Sequence, residues 1–293
     1  MNHRFRLNRS SRKRIESFDT VQESAAQRPA SDTAAEPAAE NTAPEIPEEE
    51  APVSVRDGLA VCALTDIGMV RRSNQDSLIC SGSLFGVADG MGGHLGGEIA
   101  SGLARDTLIE KLADREPSEE ALLSGIAAAN CAVYARSEED ESVRGMGTTM
   151  TVLWFGEEDI ILGHVGDSRC YRYADGKLEQ VTDDHSMVME MVRAGILTEE
   201  QAAVHPMRNV ITRAVGTDPE TDVDVKTLRR CPGTLWLVCS DGLHGMITDA
   251  EITEILARDT EDSDRAHQLL DAALTAGGHD NISLVLVREE EKA

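Results

Sequence analysis

Three apolar runs in this chain end on an aspartate set in a glycine-containing turn, and a fourth aspartate opens the last such run. The first three are Phe85-Gly86-Val87-Ala88-Asp89-Gly90, Leu162-Gly163-His164-Val165-Gly166-Asp167 and Leu237-Val238-Cys239-Ser240-Asp241-Gly242. The fourth, Gly277-Gly278-His279-Asp280-Asn281, precedes the run at 282–287, and Asp76 follows Asn74-Gln75. Turn chemistry alone explains any single Asp-Gly. Four carboxylates at the ends of core strands in one domain ask for more, because a carboxylate near an apolar core is costly unless paired or bound to a cation. Oxygen donors suit hard divalent ions such as Mg²⁺ and Mn²⁺, and a glycine lets a backbone carbonyl approach as a further ligand. On the residues alone, turns and a cation site both remain open readings.

The strings lie among short segments rich in branched residues. Strands are expected over 59–64, 84–88, 149–155, 160–165, 170–173, 222–228, 235–239 and 282–287. Asp175-Gly176 between Tyr173 and Leu178 predicts a tight hairpin. Helices are expected over about 97–113 and 118–136, the second with Ser118 as N-cap, and over about 249–257 and 264–276. Strands in groups with helices between them imply an α+β domain of stacked sheets. With only 3 % aromatic residues, its core must rest on Val, Ile, Leu, Ala and Met. The stretch from about 183 to 217 is less periodic, with helical pieces at 187–194 and 198–203, and reads as a flap beside a site or a small helical insertion.

Residues 1–55 have a different texture. Arg4, Arg6, Arg9, Arg12, Lys13 and Arg14 form a basic head, and an Ala/Pro/Glu-rich stretch follows from about 23 to 52. Such a segment buries too little apolar surface to offset its ordering entropy, so a disordered extension is expected before a globular domain over 56–290. A formal net charge of -25 argues against nucleic acid or an anionic membrane as the main partner. Of the six cysteines none forms a C-x-x-C pair, and Cys62, Cys80, Cys170 and Cys239 lie in apolar runs, which predicts reduced core thiols. There is no apolar run of about 20 residues and no secretory h-region, so a cytoplasmic location is the expectation. Gly92, Gly93, Gly96 and Gly97 are not followed by Gly-Lys-Ser/Thr, which disfavours a P-loop; close strand-to-helix contact accounts for them.

The string from Thr65 to Asp76, with Arg71 inside it, followed by Asp89-Gly90-Met91-Gly92-Gly93-His94, resembles the opening of the metal-dependent type 2C (PPM) protein phosphatases. Met146-Gly147-Thr148-Thr149, Gly166-Asp167-Ser168-Arg169, Ser240-Asp241-Gly242-Leu243 and His279-Asp280-Asn281 extend the likeness in the family's order, with the bacterial branch the closer match. The resemblance implies two stacked antiparallel β-sheets flanked by helices, an α-β-β-α sandwich with a small flap insertion. It implies a site for two Mn²⁺ or Mg²⁺ ions, with a third weaker one. Asp89 would bridge two metals with the Gly90 carbonyl completing one, Asp241 and Asp280 would hold the other, and Asp76 would act at the edge of the site. Asp167 matches the third-metal position, sharing Asp241, and Arg71 matches the arginine that grips the substrate phosphate; Arg72 does not align.

Paired cations of this kind lower the pKa of a bridging water and hold attacking and leaving oxygens, while a guanidinium fork suits phosphate. The implied activity is hydrolysis of phosphoserine and phosphothreonine in proteins, with Arg71, Asp89 and Asp241 as catalytic residues, opposing a bacterial Ser/Thr kinase. Phosphoproteins and that kinase are the implied partners, and a monomer is expected. Two departures stand out: Gln75 replaces a glutamate of animal relatives, and Met91 replaces their proposed general-acid histidine. An ordered water, or His94, must then protonate the leaving alkoxide. A catalytically inactive binding module of the same fold would have lost a bridging aspartate or the arginine, and all are present. A nuclease is disfavoured by the acidic balance.

Overall fold

The computed structural model describes residues 51–56 and 58–290. Its strands, in chain order, are β1 (Ala51–Arg56), β2 (Leu59–Asp66), β3 (Asp76–Ser81), β4 (Leu84–Met91), β5 (Gly147–Thr148), β6 (Met150–Phe155), β7 (Asp159–Val165), β8 (Arg169–Ala174), β9 (Lys177–Gln180), β10 (Asp224–Arg229), β11 (Leu235–Cys239) and β12 (Ile282–Glu289). The helices are α1 (Gly93–Leu112), α2 (Glu119–Glu139), α3 (Met187–Arg193), α4 (Glu199–Ala203), α5 (Asp241–His244), α6 (Asp249–Leu256) and α7 (Asp262–Thr275). One sheet runs β1-β2-β12-β11-β8-β9 and the other β10-β7-β6-β4-β3, with β5 against the end of β4; every pairing is antiparallel.

Strand alternation builds the layers. On β11, Trp236 and Val238 face the opposing sheet, while Leu235, Leu237 and Cys239 face the helices. Phe85 and Val87 of β4 meet them from the other sheet, and Leu84 and Ala88 turn outward to α1 and α2. Because both faces of each sheet are covered, the central strands read as continuous apolar runs rather than alternating ones. Helices α5, α6 and α7 cover the first sheet, and α1 and α2 the second. The result is the expected α-β-β-α sandwich. Ser118 caps α2, accepting from the Ala121 amide, and Asp175 and Gly176 both take positive φ in the β8–β9 hairpin.

Four features differ from the sequence expectation. Residues 51–55 belong to β1, an edge strand whose register slips between Ala51 and Ser54, where Pro52 cannot donate to the ladder. The rest of the expected extension lies outside the described residues. Strand β3 escaped notice because its apolar core is only Leu78-Ile79-Cys80, and Cys80 is exposed on this edge strand rather than buried. Helix α1 starts at Gly93, four residues early. Its glycines serve contact: a Cβ on Gly97 would lie 2.7 Å from the Gly90 carbonyl oxygen. Leu153, fully buried between the sheets, tests this architecture. Leu153→Ala should cost about 2–5 kcal/mol in urea unfolding, whereas Cys80→Ser should stay within about 0.5 kcal/mol.

Candidate active site

One end of the sandwich gathers the predicted aspartates. Asp76 opens β3 and stands in register with Asp89 on β4. Asp241 begins α5 directly after β11, Asp280 precedes β12, and Asp167 lies in the crossing from β7 to β8. The Asp89 amide donates to Thr149 Oγ1 at 2.9 Å, and Thr148 Oγ1 donates to the Asp89 carbonyl at 2.8 Å. Thr149 Oγ1 also lies 2.8 Å from Ser168 Oγ, so a buried hydroxyl pair links the Asp89 backbone to the residue after Asp167. At Gly90 a Cβ would fall 2.1 Å from the Gly97 carbonyl oxygen and 2.5 Å from that of Gln75, so only glycine fits.

Asn281 organises the loop that bears Arg71. Its Oδ1 accepts from the Gln75 amide at 2.9 Å, and its Nδ2 donates to the carbonyls of Ile67 and Ser73 at 2.9 and 3.0 Å. Arg71 Nη2 donates to Asp280 Oδ2 at 2.6 Å. Arg71, Asp89, Gly90, Asp167, Asp241 and Asp280 line a single cleft of about 530 Å³, together with Asn209 and Ile211 from the flap. Arg72, Gln75 and Met91 also reach it, whereas the side chain of His94 lies outside the described residues.

Asp76 departs from its expected place at the edge. It does not line the cleft; its Oδ2 accepts from the buried Ser240 hydroxyl at 2.8 Å, so it is set back between the sheets. Residue-type reasoning also gave no role to Ser240, Ser283, Thr149 or Asn281, which hold the carboxylates and their loops. Ser240, Thr149 and Asn281 lie inside the motif strings and Ser283 just beyond the last; for Ser240 and Asn281, position beside an aspartate was the available signal. His164 and His185 are buried and hydrogen-bonded within the protein, and His279 is exposed.

Crowding shapes the electrostatics. Desolvation, then the charge of Asp280, pushes Asp241 up to about 6. Desolvation lifts Asp76 to about 7 against the opposing pull of the Ser283 and Ser240 hydroxyls. Asp167 rises to about 8 through desolvation and the charge of Asp241, and Asp89 is held well above the ordinary carboxylate range by burial and by Asp76. Arg71 is raised by its bond to Asp280. Asp167 Oδ1 is buried without a hydrogen-bond partner. An all-oxygen set of mutually repelling carboxylates with an orphaned oxygen fits hard divalent cations. Among the described residues no three acidic, histidine or cysteine side chains close around one ion. An ion held here would draw on these carboxylates, the Gly90 carbonyl and water.

Comparisons with known proteins agree with this geometry. The family model for protein phosphatase 2C matches residues 71–276. The chain is 39 % identical over 232 residues to the serine/threonine protein phosphatase PstP of Mycobacterium tuberculosis, covering 78 % of this chain and 44 % of that protein's length. It therefore spans less than half of that relative. It is also 35 % identical over 244 residues to the protein phosphatase PhpP of Streptococcus pneumoniae, covering 80 % of this chain and 99 % of PhpP. Among solved structures, the catalytic domain of PstP in complex with two manganese ions superposes with a TM-score of 0.71 at 35 % identity, covering 80 % of this chain and 99 % of that one.

The carboxylate shifts set the pH response of the metal-free protein. A carboxyl whose folded pKa exceeds its unfolded value binds more protons when folded, so stability falls as pH rises through the folded value. The depressed buried histidines, His164 at about 4 and His244 at about 3, act oppositely, but only below their ordinary 6.5. From 6.5 to about 8 the carboxylates act alone, with Asp76 near 7 and Asp167 near 8. Thermal melts in chelator should therefore show stability declining across that window, by up to about 1.4 kcal/mol per pH unit for each proton released. Asp76→Asn should flatten the decline, and an unchanged slope would contradict the shift.

Proposed function

Because the chain belongs to the protein phosphatase 2C family, we propose that it hydrolyses phosphoserine and phosphothreonine in proteins with water as the attacking group. The observation that carries the proposal is the single cleft in which Asp89, Asp241 and Asp280 face Arg71. Asp89 and Asp241, with the Gly90 carbonyl, would hold two Mn²⁺ or Mg²⁺ ions, with Asp280 as a further ligand and Asp167 serving a third ion. Bound cations of this kind supply an ionised water and charge neutralisation at the phosphoryl oxygens.

The rest falls to the protein's own side chains. Arg71 presents a guanidinium fork to two phosphate oxygens, which stabilises the charge that grows on them. Asp76 is fixed by the Ser240 hydroxyl in register with Asp89, where it would serve a bound ion through a water. Thr148 and Thr149 fix the Asp89 backbone so that its carboxylate stays presented. No cysteine lines the cleft to act as nucleophile: Cys62, Cys170 and Cys239 are buried in the core layers, and Cys80, Cys131 and Cys231 are exposed away from it. Met91 on the cleft wall offers no proton, so an ordered water or His94 protonates the departing alkoxide.

Phosphoproteins and a cognate Ser/Thr kinase are the proposed partners, with the protein acting as a monomer in the cytoplasm and not on nucleic acid. The net charge of -25 supports this reading, as does the lack of any disulfide among the described residues. No helix of the described residues is long and apolar enough to cross a membrane.

With Mn²⁺, the full chain should hydrolyse p-nitrophenyl phosphate and phosphothreonine peptides, and chelation should abolish both activities. Asp89→Asn and Asp241→Asn should each lower kcat on the order of 10²-fold or more with an unchanged circular dichroism spectrum. Full activity in both variants would overturn the assignment. Arg71→Lys, which keeps the charge and loses the fork, should lower both kcat and kcat/KM for phosphopeptides by about tenfold.

A further inference from the structure

Asp167 poses a problem of orientation. Its Oδ1 has no hydrogen-bond partner, so the chain on either side must aim the carboxylate. Three groups grip that chain. Thr149 Oγ1 meets Ser168 Oγ, His244 Nε2 lies 3.0 Å from the Asp167 carbonyl, and His185 holds Gly166 twice. The His185 amide donates to the Gly166 carbonyl at 2.8 Å, and the Gly166 amide donates to His185 Nδ1 at 3.1 Å. Gly166 has φ +112, and a Cβ there would lie 2.6 Å from Thr149 Cβ, so this backbone has no slack of its own.

The imidazole is itself held. With Nδ1 accepting, its proton sits on Nε2, which reaches Asp224 Oδ2 on β10 at 3.3 Å. Arg213, at the far end of the flap, donates to the other oxygen of Asp224 at 3.0 Å. His164 packs against the ring at 4.7 Å between centroids, tilted by 38°, with its own Nδ1 2.8 Å from Thr151 Oγ1. Burial and the neighbouring Arg213 charge hold the His185 pKa below its ordinary value, which keeps the acceptor nitrogen free.

We propose that His185 is a positioning residue whose Nδ1 clasps the Gly166 amide, so that the flap and β10 together fix the Asp167 carboxylate at the cleft. The functional consequence rests on the phosphatase reading; the clasp does not. Among metal sites, residues that orient a ligand typically contribute about 10–100-fold to affinity.

Two substitutions separate positioning from simple space-filling. The amide oxygen of Asn reaches the place of Nδ1 and keeps the acceptor, whereas Gln resembles histidine more closely in volume but reaches only the place of Nε2. In the full chain, His185→Asn should keep slow amide exchange over 164–169 and bind Mn²⁺ within about twofold of the parent by calorimetry. His185→Gln should speed exchange at Gly166 and weaken the weakest Mn²⁺ site by about tenfold or more. His185→Gln matching or surpassing His185→Asn would overturn the proposal, as would two variants indistinguishable from the parent. A measurement without variants guards against misfolding: ¹⁵N imidazole shifts of the parent should show Nδ1 unprotonated, and a protonated Nδ1 would overturn the clasp. If the parent took up no Mn²⁺ at all, the phosphatase reading would fail while exchange and tautomer still judged the clasp.

Discussion

Like charges crowded at the end of a sandwich are the constraint on which the rest of this structure depends. Unit charges about 4 Å apart repel by about 4 kcal/mol at the effective dielectric of a protein surface. On top of the cost of desolvation, Asp241 raises Asp76, Asp89 and Asp167, and Asp280 raises Asp241. A fold left to maximise stability would separate them. Here the backbone brings them together instead: antiparallel register sets Asp76 opposite Asp89, and the ends of β7 and β11 bring up Asp167 and Asp241. The stability that such a cluster lacks has to come from the apolar layers, where Leu153, Val238 and Val285 lie fully buried between the sheets.

The support beneath the carboxylates is made of short side chains and bare backbone. Ser240, Thr149 and Ser168 are fully buried hydroxyls, each satisfied inside the protein. Hydroxyls suit this place because they stabilise a carboxylate in either protonation state, donating to the ionised form and accepting from the neutral one. Gly90 and Gly97 bring two backbones into contact where any side chain would collide. Rigid loops follow, and a rigid loop is what a site for cations with fixed ligand directions requires. The flap contrasts with this. Ile196 and Val204 are exposed there; the bridge Ser186–Ile211 closes the flap on itself, and the bridge Thr148–Val215, the Arg169–Asp184 pair and the His185 contacts to Gly166 tie it to the sheets.

Much of this was legible in the residues because the strongest signals are local. The apolar runs of β6, β11 and β12 carry their own assignment, and Asp175-Gly176 announces its hairpin. The order of six weak strings named the family where no one of them could. What escaped depended on partners far away in sequence. β3 is a strand because β4 offers it a ladder, not because Asp-Ser-Leu-Ile-Cys-Ser favours one. The alternation of Val53 and Val55 in β1 was masked by the polar stretch before it, and α1 begins within glycines that composition counts as helix breakers. Asp76 looked peripheral because sequence cannot show Ser240, 164 residues away, donating to it.

The pairing of Arg71 with Asp280 bears on how the cleft works. An arginine proposed to meet phosphate should be nearby without being committed. Its side chain is 49 % exposed and that of Asp280 32 %, so the pair is screened by solvent and of the class worth about 0–1 kcal/mol. A buried pair of the kind seen at Arg230 and Glu289, where the carboxylate is 2 % exposed, would cost several kcal/mol to break and would keep the guanidinium from substrate. The weak bond therefore holds Arg71 over the cleft and, on the proposed reading, would yield readily to a dianionic phosphate. A cation drawing on Asp280 would compete for the carboxylate that Arg71 now holds and loosen the pair further.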